Sequence, residues 1–432
     1  MTVFFAKVIT VLLLVILPQL KLAESIPIRH TDWMGDLMPV IGNHTLFDLT
    51  LPGTHDSLAH DLCPTVDPAQ PAWLKWFASF KATPRFAETQ SLGVSDQLDH
   101  GVRFLDLRIM LVDDVWHGVH FLTTCEPAIG YFYAIRNFLN RHPSEIVVLW
   151  LSEHGEPHLT GPDQFPGVSR EAKTQFWGSI LEVFEDLAIP GNQVKSPIGD
   201  LVARDKRVLF AISDYAEFTG NSELALDAGK FLNNDISRDL NLTLSLPLME
   251  KSISQGAKHR ESLAKNDRYW LMSLAPAVSD FTLIHGSLHS VYMKTRIFGD
   301  TYFARLCAEA IGVKDMTWCP DSLLEFSRLF NYYAQALVER AMLEDEEADL
   351  PHAFYVDAFA KGEIIQTDRR TRSNRGYALV DKILIRNVRR LCKETCAKTL
   401  DSLNTRADIV GPFRLWEDPK HGRVSGWPGL PV

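Results

Sequence analysis

Ser95-Asp96-Gln97-Leu98-Asp99-His100-Gly101-Val102-Arg103-Phe104-Leu105-Asp106-Leu107-Arg108-Ile109-Met110-Leu111 is the stretch on which the fold turns. From Arg103 to Met110 it reads as a strand, with Asp106 and Arg108 alternating with Leu105, Leu107 and Ile109. Successive side chains on a strand point to opposite faces, so the carboxylate and the guanidinium share one face. Facing a barrel interior, such a pair is costly unless it serves a polar site. Further short apolar runs bounded by turn residues lie at Leu46–Leu51, Val115–Phe121, Ile146–Leu151, Arg207–Ser213, Tyr269–Leu274 and Phe354–Phe359. Stretches of helical period lie at Ile129–Arg141, Arg170–Leu187, Ser322–Leu343 and Asp381–Leu400. Strands alternating with helices imply βαβ units and a parallel sheet, and so many units in one chain favour a closed barrel. The expected fold is an α/β TIM-type (β/α) barrel, with room for distortion and with insertions. Val278–Pro320 fits the alternation poorly and is read as an insertion over about residues 278–320.

Composition narrows the class. The chain has 432 residues, 46% hydrophobic and 23% charged, the proportions of a packed globular protein rather than a disordered or fibrous one. A net charge of -10 argues against nucleic acid as the main partner, because phosphate binding needs a basic surface. Lys7, the apolar run Val8–Leu17, Pro18 and the small-x-small string Ala23-Glu24-Ser25 read as a secretory signal over residues 1–25. That run is about half the ~20 residues of a spanning helix. A secreted chain is therefore expected, with one barrel domain over residues 26–432 acting as a monomer. The six cysteines suit an oxidising compartment, with Cys63–Cys125 and Cys307–Cys319 the preferred pairs and Cys392–Cys396 a less certain one. Asn43-His44-Thr45 and Asn241-Leu242-Thr243 are glycosylation sequons.

Two further segments carry chemistry. Leu49–Ser57, LTLPGTHDS, is an apolar run and a Pro-Gly turn followed by His55 and Asp56. Val115-Trp116-His117-Gly118 puts a second histidine on a later strand. Alone, each motif is ordinary: a His-Asp turn, a strand ion pair, a hydrogen-bonded core histidine. Together they supply two imidazoles for proton transfer and a guanidinium to neutralise a phosphate between them. Active sites of such barrels lie at the C-terminal strand ends, where His55, Asp56 and Arg108 are expected.

The strings DWMGDL (Asp32–Leu37), LPGTHDS, QLDHGVRFLDLRI, WHGVHFL and FLNRHPSEIVVLWLSEH resemble the X domain of phosphatidylinositol-specific phospholipase C. The likeness is to the metal-independent bacterial enzymes and the eukaryotic X-domain-only proteins, and it covers about residues 32–154. It implies a TIM-type barrel and cleavage between diacylglycerol and phosphoinositol, with inositol 1,2-cyclic phosphate as product. By position, His55 matches the general base and His117 the general acid. Arg108 matches the phosphate stabiliser, Asp56 the partner of the acid, and Asp106 the acid beside the arginine. Asp357 matches a late carboxylate that orients the base. Calcium-dependent members place carboxylates where this chain has Arg108, so no cofactor is expected. Glu153 is the complication, because with Asp56 and Asp106 it offers a partial oxygen shell for Ca²⁺.

Substrate contacts are harder to read. Glu153, Asp214 and Tyr215, each near the end of a strand, are candidates for substrate binding, while the basic run Lys258–Arg268 reads as a solvated loop. Trp73, Trp76, Phe77 and Phe80 recur at helical spacing, either as packing or as an interfacial helix making peripheral membrane contact with an inositol phospholipid. The competing readings are a catalytically silent lipid-binding barrel and a glycerophosphodiesterase, the latter needing a carboxylate-built metal site. A serine hydrolase is disfavoured by the lack of a GxSxG string.

Overall fold

The structure is a computed structural model describing residues 28–68, 87–153, 167–236, 249–273, 323–324, 327, 331, 349–359, 378–391, 417–418 and 422–423. The strands that build the molecule are β1 (Leu51–Thr54), β2 (Leu62–Val66), β3 (Phe104–Val112), β4 (Val115–His120), β5 (Leu122–Pro127) and β6 (Val147–Glu153). They continue with β7 (Val208–Ile212), β8 (Leu226–Asp227), β9 (Leu232–Ile236), β10 (Tyr269–Ser273) and β11 (Ala353–Val356). Eight of these pair in parallel in the order β9-β10-β11-β1-β3-β6-β7-β8. That path follows chain order, and the last strand pairs with the first. It is the order of a TIM-type (β/α) barrel, distorted and open at one seam: among the described residues no ladder joins β8 to β9.

The register fixes which side chains face inward. Asp106 pairs with Trp150 and Arg108 with Ser152, while Gly53 pairs with both Phe104 and Tyr355. The rings of Trp150 and Tyr355 lie 6.3 Å apart although β6 and β11 are not neighbours, so this face is the barrel interior. Leu105, Leu107 and Ile109 point outward and are buried in the main hydrophobic core, together with Ile135 and Phe138 of the helix Ala128–Arg141. Gly53 is required where it stands, because a Cβ there would sit 2.8 Å from the Tyr355 Cβ.

Three differences from the sequence reading have local causes. The run Leu46–Leu51 is not a strand, because Leu46–Asp48 forms a 3-10 turn with the Thr45 N–H donating to Asp48 at 2.8 Å, and the strand starts at Leu51. The run Val115–Phe121 is not a barrel strand. Asp113 and Asp114, both with positive φ, turn the chain back on itself, and β4 pairs antiparallel with β3. With β5 and β2, each antiparallel to its partner, it forms a flap that extends β3. Lys258–Arg268 is largely helical (Gly256–Lys265), and its Arg260 is buried, donating to the carbonyls of Phe47 and Leu350 at 2.9 and 2.7 Å.

The disulfide Cys63–Cys125 joins β2 to β5 across the flap. The other four cysteines lie outside the described residues, as do the signal, the Asn241 sequon, the 278–320 insertion and the Trp73, Trp76, Phe77 and Phe80 cluster. Leu323, Leu324, Ser327 and Asn331, within the expected helix Ser322–Leu343, are helical. No described helix is long and apolar enough to cross a membrane.

The DWMGDL string serves the barrel's N-terminal end. Trp33 Nε1 donates to the Gly101 carbonyl, and Glu145 accepts from the Gly35 N–H at 2.9 Å. Glu145 also takes Arg103 Nε and Nη2 at 2.8 and 2.6 Å, with both side chains fully buried. Burial pushes the Glu145 carboxyl up and the Arg103 guanidinium down, and each charge persists because the other is there. Breaking such a pair strands one charge, so Glu145→Ala is expected to destabilise the fold by about 3–5 kcal/mol, read by chemical denaturation. A cost under about 1 kcal/mol would mean that the pair contributes no more than a surface bridge.

Candidate active site

At the C-terminal end of β1 the chain leaves the ladder. His55 N–H still donates to the Val356 carbonyl at 3.0 Å, and Asp56 then turns at φ 42°. A non-glycine residue in that region is uncommon and is held only by its surroundings. Here the Asp56 N–H donates to Asp106 Oδ2 at 3.3 Å and the Ser57 N–H to the Asp106 carbonyl at 2.8 Å. The turn aims both His55 and Asp56 at the inward-facing Asp106 and Arg108 of β3.

The structure brings His55, Asp56, Asp106, Arg108 and Asp357 into one cluster. Arg108 Nε lies 2.6 Å from Asp56 Oδ1, and its Nη2 lies 3.2 Å from Asp106 Oδ2 and 2.7 Å from His55 Nε2. On the far side of the ring, His55 Nδ1 is 2.8 Å from Asp357 Oδ1. A guanidinium has only donors, so the resting ring carries its proton on Nδ1, toward Asp357, and offers its Nε2 lone pair to Arg108. Asp56, Asp106 and Asp357 are buried, while His55 and Arg108 remain partly open to solvent.

A second imidazole completes the set. His120 Nε2 lies 3.5 Å from Asp56 Oδ2, and its Nδ1 is 2.6 Å from the Ala87 carbonyl, which fixes the proton on Nδ1. The site therefore holds a lone pair on one imidazole nitrogen, a two-pronged cation and a second imidazole set against a carboxylate. That is a constellation for moving a proton on and off a bound anionic ester.

No family model matches the chain. Human PI-PLC X domain-containing protein 1 is 27% identical over 219 residues, which are 45% of this chain and 60% of the human protein. Human PI-PLC X domain-containing protein 2 is 32% identical over 135 residues, 29% of this chain and 44% of that one. Over these segments the chain is similar to the PI-PLC X domain-containing proteins. It matches less than two thirds of the length of either relative. Among solved structures, the phosphatidylinositol-specific phospholipases C of Staphylococcus aureus and Listeria monocytogenes align with TM-scores of 0.49 and 0.46, each at 13% identity. These alignments cover 77% and 76% of this chain and 92% and 94% of the bacterial ones.

Against the X-domain pattern, the second histidine is a correction. His117, expected opposite His55, is not part of the cluster, and its Nδ1 lies 2.9 Å from the Thr124 carbonyl. The β4–β5 pairing shifts register between His117 and Val119, and the histidine three residues further on is the one that meets Asp56. The sequence did carry a signal, since WHGVHFL holds both histidines, but spacing on an ideal strand does not reveal an irregularity.

Three other candidates also stand elsewhere. Glu153 pairs in register with the outward Ile109, and its carboxylate is taken by Lys173 Nζ at 2.6 Å. Asp214 is exposed and lies 3.8 Å from Lys173 Nζ. The Tyr215 hydroxyl donates to the Ser222 carbonyl at 2.6 Å. None of the three joins the cluster through these contacts.

Among the described residues one group of ligating side chains is close enough to hold a metal ion: His55, Asp56 and Asp106, with ligand atoms within 4.8 Å. Arg108 already bridges both of those carboxylates, and Glu153 faces away.

The electrostatics set a pH requirement. Burial works against an imidazolium at His55, but the carboxylates of Asp56 and Asp357 outweigh both burial and the Arg108 charge, holding it above the ordinary histidine range. Burial holds His120 below that range, with Asp56 partly opposing. Burial also raises the Asp357 carboxyl against the pull of His55. To act as a base His55 must be neutral, so any reaction in which it takes a proton is expected to speed up with pH through its raised titration. Asp357→Asn removes one of the raising charges, so the rising limb of the pH–rate profile should move to lower pH while kcat falls. A limb that stays in place would show that His55 does not set it.

Proposed function

We propose that the protein is a secreted phospholipase C-type phosphodiesterase that cleaves phosphatidylinositol, or a glycosylated form of it, at a membrane surface. The observation that carries the reading is Arg108 at 2.7 Å from the lone-pair nitrogen of His55, with the names of the related X-domain proteins behind it. Phosphate oxygens are stronger acceptors than an imidazole, so a bound phosphodiester would draw the guanidinium fork onto itself and free Nε2.

His55 Nε2 then removes the inositol 2-hydroxyl proton while Asp357 steadies Nδ1–H. The 2-oxygen attacks its own phosphorus, so orientation supplies much of the rate. The new P–O bond closes the cyclic diester as the P–O bond to glycerol breaks. Arg108 holds the non-bridging oxygens as charge grows on them. His120, in its imidazolium form beside Asp56, gives its Nε2 proton to the leaving diacylglycerol oxygen. The substrate's negative charge opposes the burial that otherwise keeps His120 neutral.

Metal independence belongs to the same proposal, because Arg108 stands at the point a divalent ion would take. Diacylglycerol release from phosphatidylinositol vesicles is expected to persist in EDTA and to stop in His55→Ala. Activity lost in EDTA and restored by Ca²⁺ would overturn this reading. The same preparation with no release at all, in any divalent ion, would favour a silent lipid-binding barrel.

A further inference from the structure

His55 and Asp357 occupy equivalent places on neighbouring strands. The β1–β11 ladder ends at the pair Thr54 and Val356, so each residue is the first past its last ladder partner. Each is also followed by a residue in the left-handed region, Asp56 at φ 42° and Ala358 at φ 48°. The ladder therefore stops short of the pair, apart from the His55 N–H contact, at the point where a 2.8 Å hydrogen bond is needed, and on the β11 side Asn331 Nδ2 donates to the Asp357 carbonyl at 2.6 Å.

What spans that point is Thr89-Gln90. The Gln90 amide nitrogen donates to the His55 carbonyl at 2.8 Å and to the Val356 carbonyl at 2.9 Å. Its oxygen accepts from the Phe359 N–H at 3.3 Å. The Thr89 carbonyl accepts from the Ala358 N–H at 2.6 Å, and the Thr89 hydroxyl donates to the Asp56 carbonyl at 3.0 Å. Gln90 is 1% exposed, so the contacts are not shared with solvent. One primary amide has two N–H groups and an acceptor, which is what two converging carbonyls and a following N–H require.

We propose that Gln90 is a positioning residue, a clamp that holds the backbones of His55 and Asp357 at the separation their hydrogen bond needs; this rests on the reading of His55 as the base. Such a clamp acts on chemistry rather than on binding. Misplacement of about 1 Å costs on the order of 100-fold in rate.

Gln90→Met keeps the volume and removes the donors. Its kcat should fall roughly 100-fold with KM little changed. The His55 titration, followed by NMR of the imidazole without substrate, should move to lower pH as the Asp357 contact loosens. Asn387 is the matched control: it is equally buried and exchanges hydrogen bonds with Thr50 at 2.8 and 2.9 Å before the start of β1. Asn387→Ala should lower Tm without moving that titration. If Gln90→Met does not fold, Gln90→Leu, which can neither donate nor accept, takes its place in the same titration. An unmoved His55 titration in the folded variant, or an equal shift in Asn387→Ala, overturns the clamp. Because the titration needs no turnover, a shift in a protein inactive on phosphatidylinositol would leave the clamp standing and remove only the proposed activity.

Discussion

Arg108→Ala is expected to cost both the fold and the reaction. The guanidinium lies between the buried carboxylates of Asp56 and Asp106, and removing it takes away the permanent cation that both of them contact. Breaking a buried pair in this way costs about 3–5 kcal/mol. Activity should fall by roughly 1,000-fold, the scale of losing a group that meets developing oxyanion charge. Arg108→Lys separates the two effects. A lysine restores charge between the carboxylates but not the planar fork, so stability should recover further than kcat does. Equal recovery of both would show that Arg108 acts as a structural counter-ion only.

The second large effect separates two histidines three residues apart. His120→Ala is expected to lower kcat on phosphatidylinositol by about 100- to 10,000-fold, the range of general acid catalysis, whereas His117→Ala should cost little. A general acid matters in proportion to how poorly the leaving group departs. The His120→Ala loss should therefore shrink on an inositol phosphate ester with a nitrophenol leaving group, which needs no proton. If His117→Ala is the variant whose defect depends on the leaving group, the assignment of the acid to His120 is wrong.

These two residues also mark what the sequence made legible. Arg108 was readable because strand alternation is a strong local constraint: if Arg103–Met110 is a strand, Asp106 and Arg108 must share a face. Its partner Asp56 was readable as a residue just past a strand end, although its left-handed turn and its contact with Asp106 depend on a segment fifty residues away. His120 was missed because it stands at the last position of β4, three residues past His117, and WHGVHFL offers two histidines with nothing local to choose between them. Glu153 failed as a candidate for a related reason. Strand parity turns it outward, and the lysine that takes it comes from the next helix, a long-range contact no local pattern encodes. The barrel itself was legible as alternation, but β8 and β9 were not. β8 is two residues long, and β9 carries Asn233, Asn234 and Asp235, so neither reads as an apolar run. Thr89-Gln90 left no signature, because a buried amide meeting three backbone groups looks in sequence like any other loop glutamine.

The measurement that bears most directly on the account is a phosphorus NMR time course of phosphatidylinositol vesicles incubated with the purified protein in EDTA. The account predicts that a five-membered cyclic phosphodiester resonance appears first, and that it is absent with His55→Ala. A phosphomonoester that appears without any cyclic precursor, or a cyclic signal that persists unchanged in His55→Ala, would contradict it.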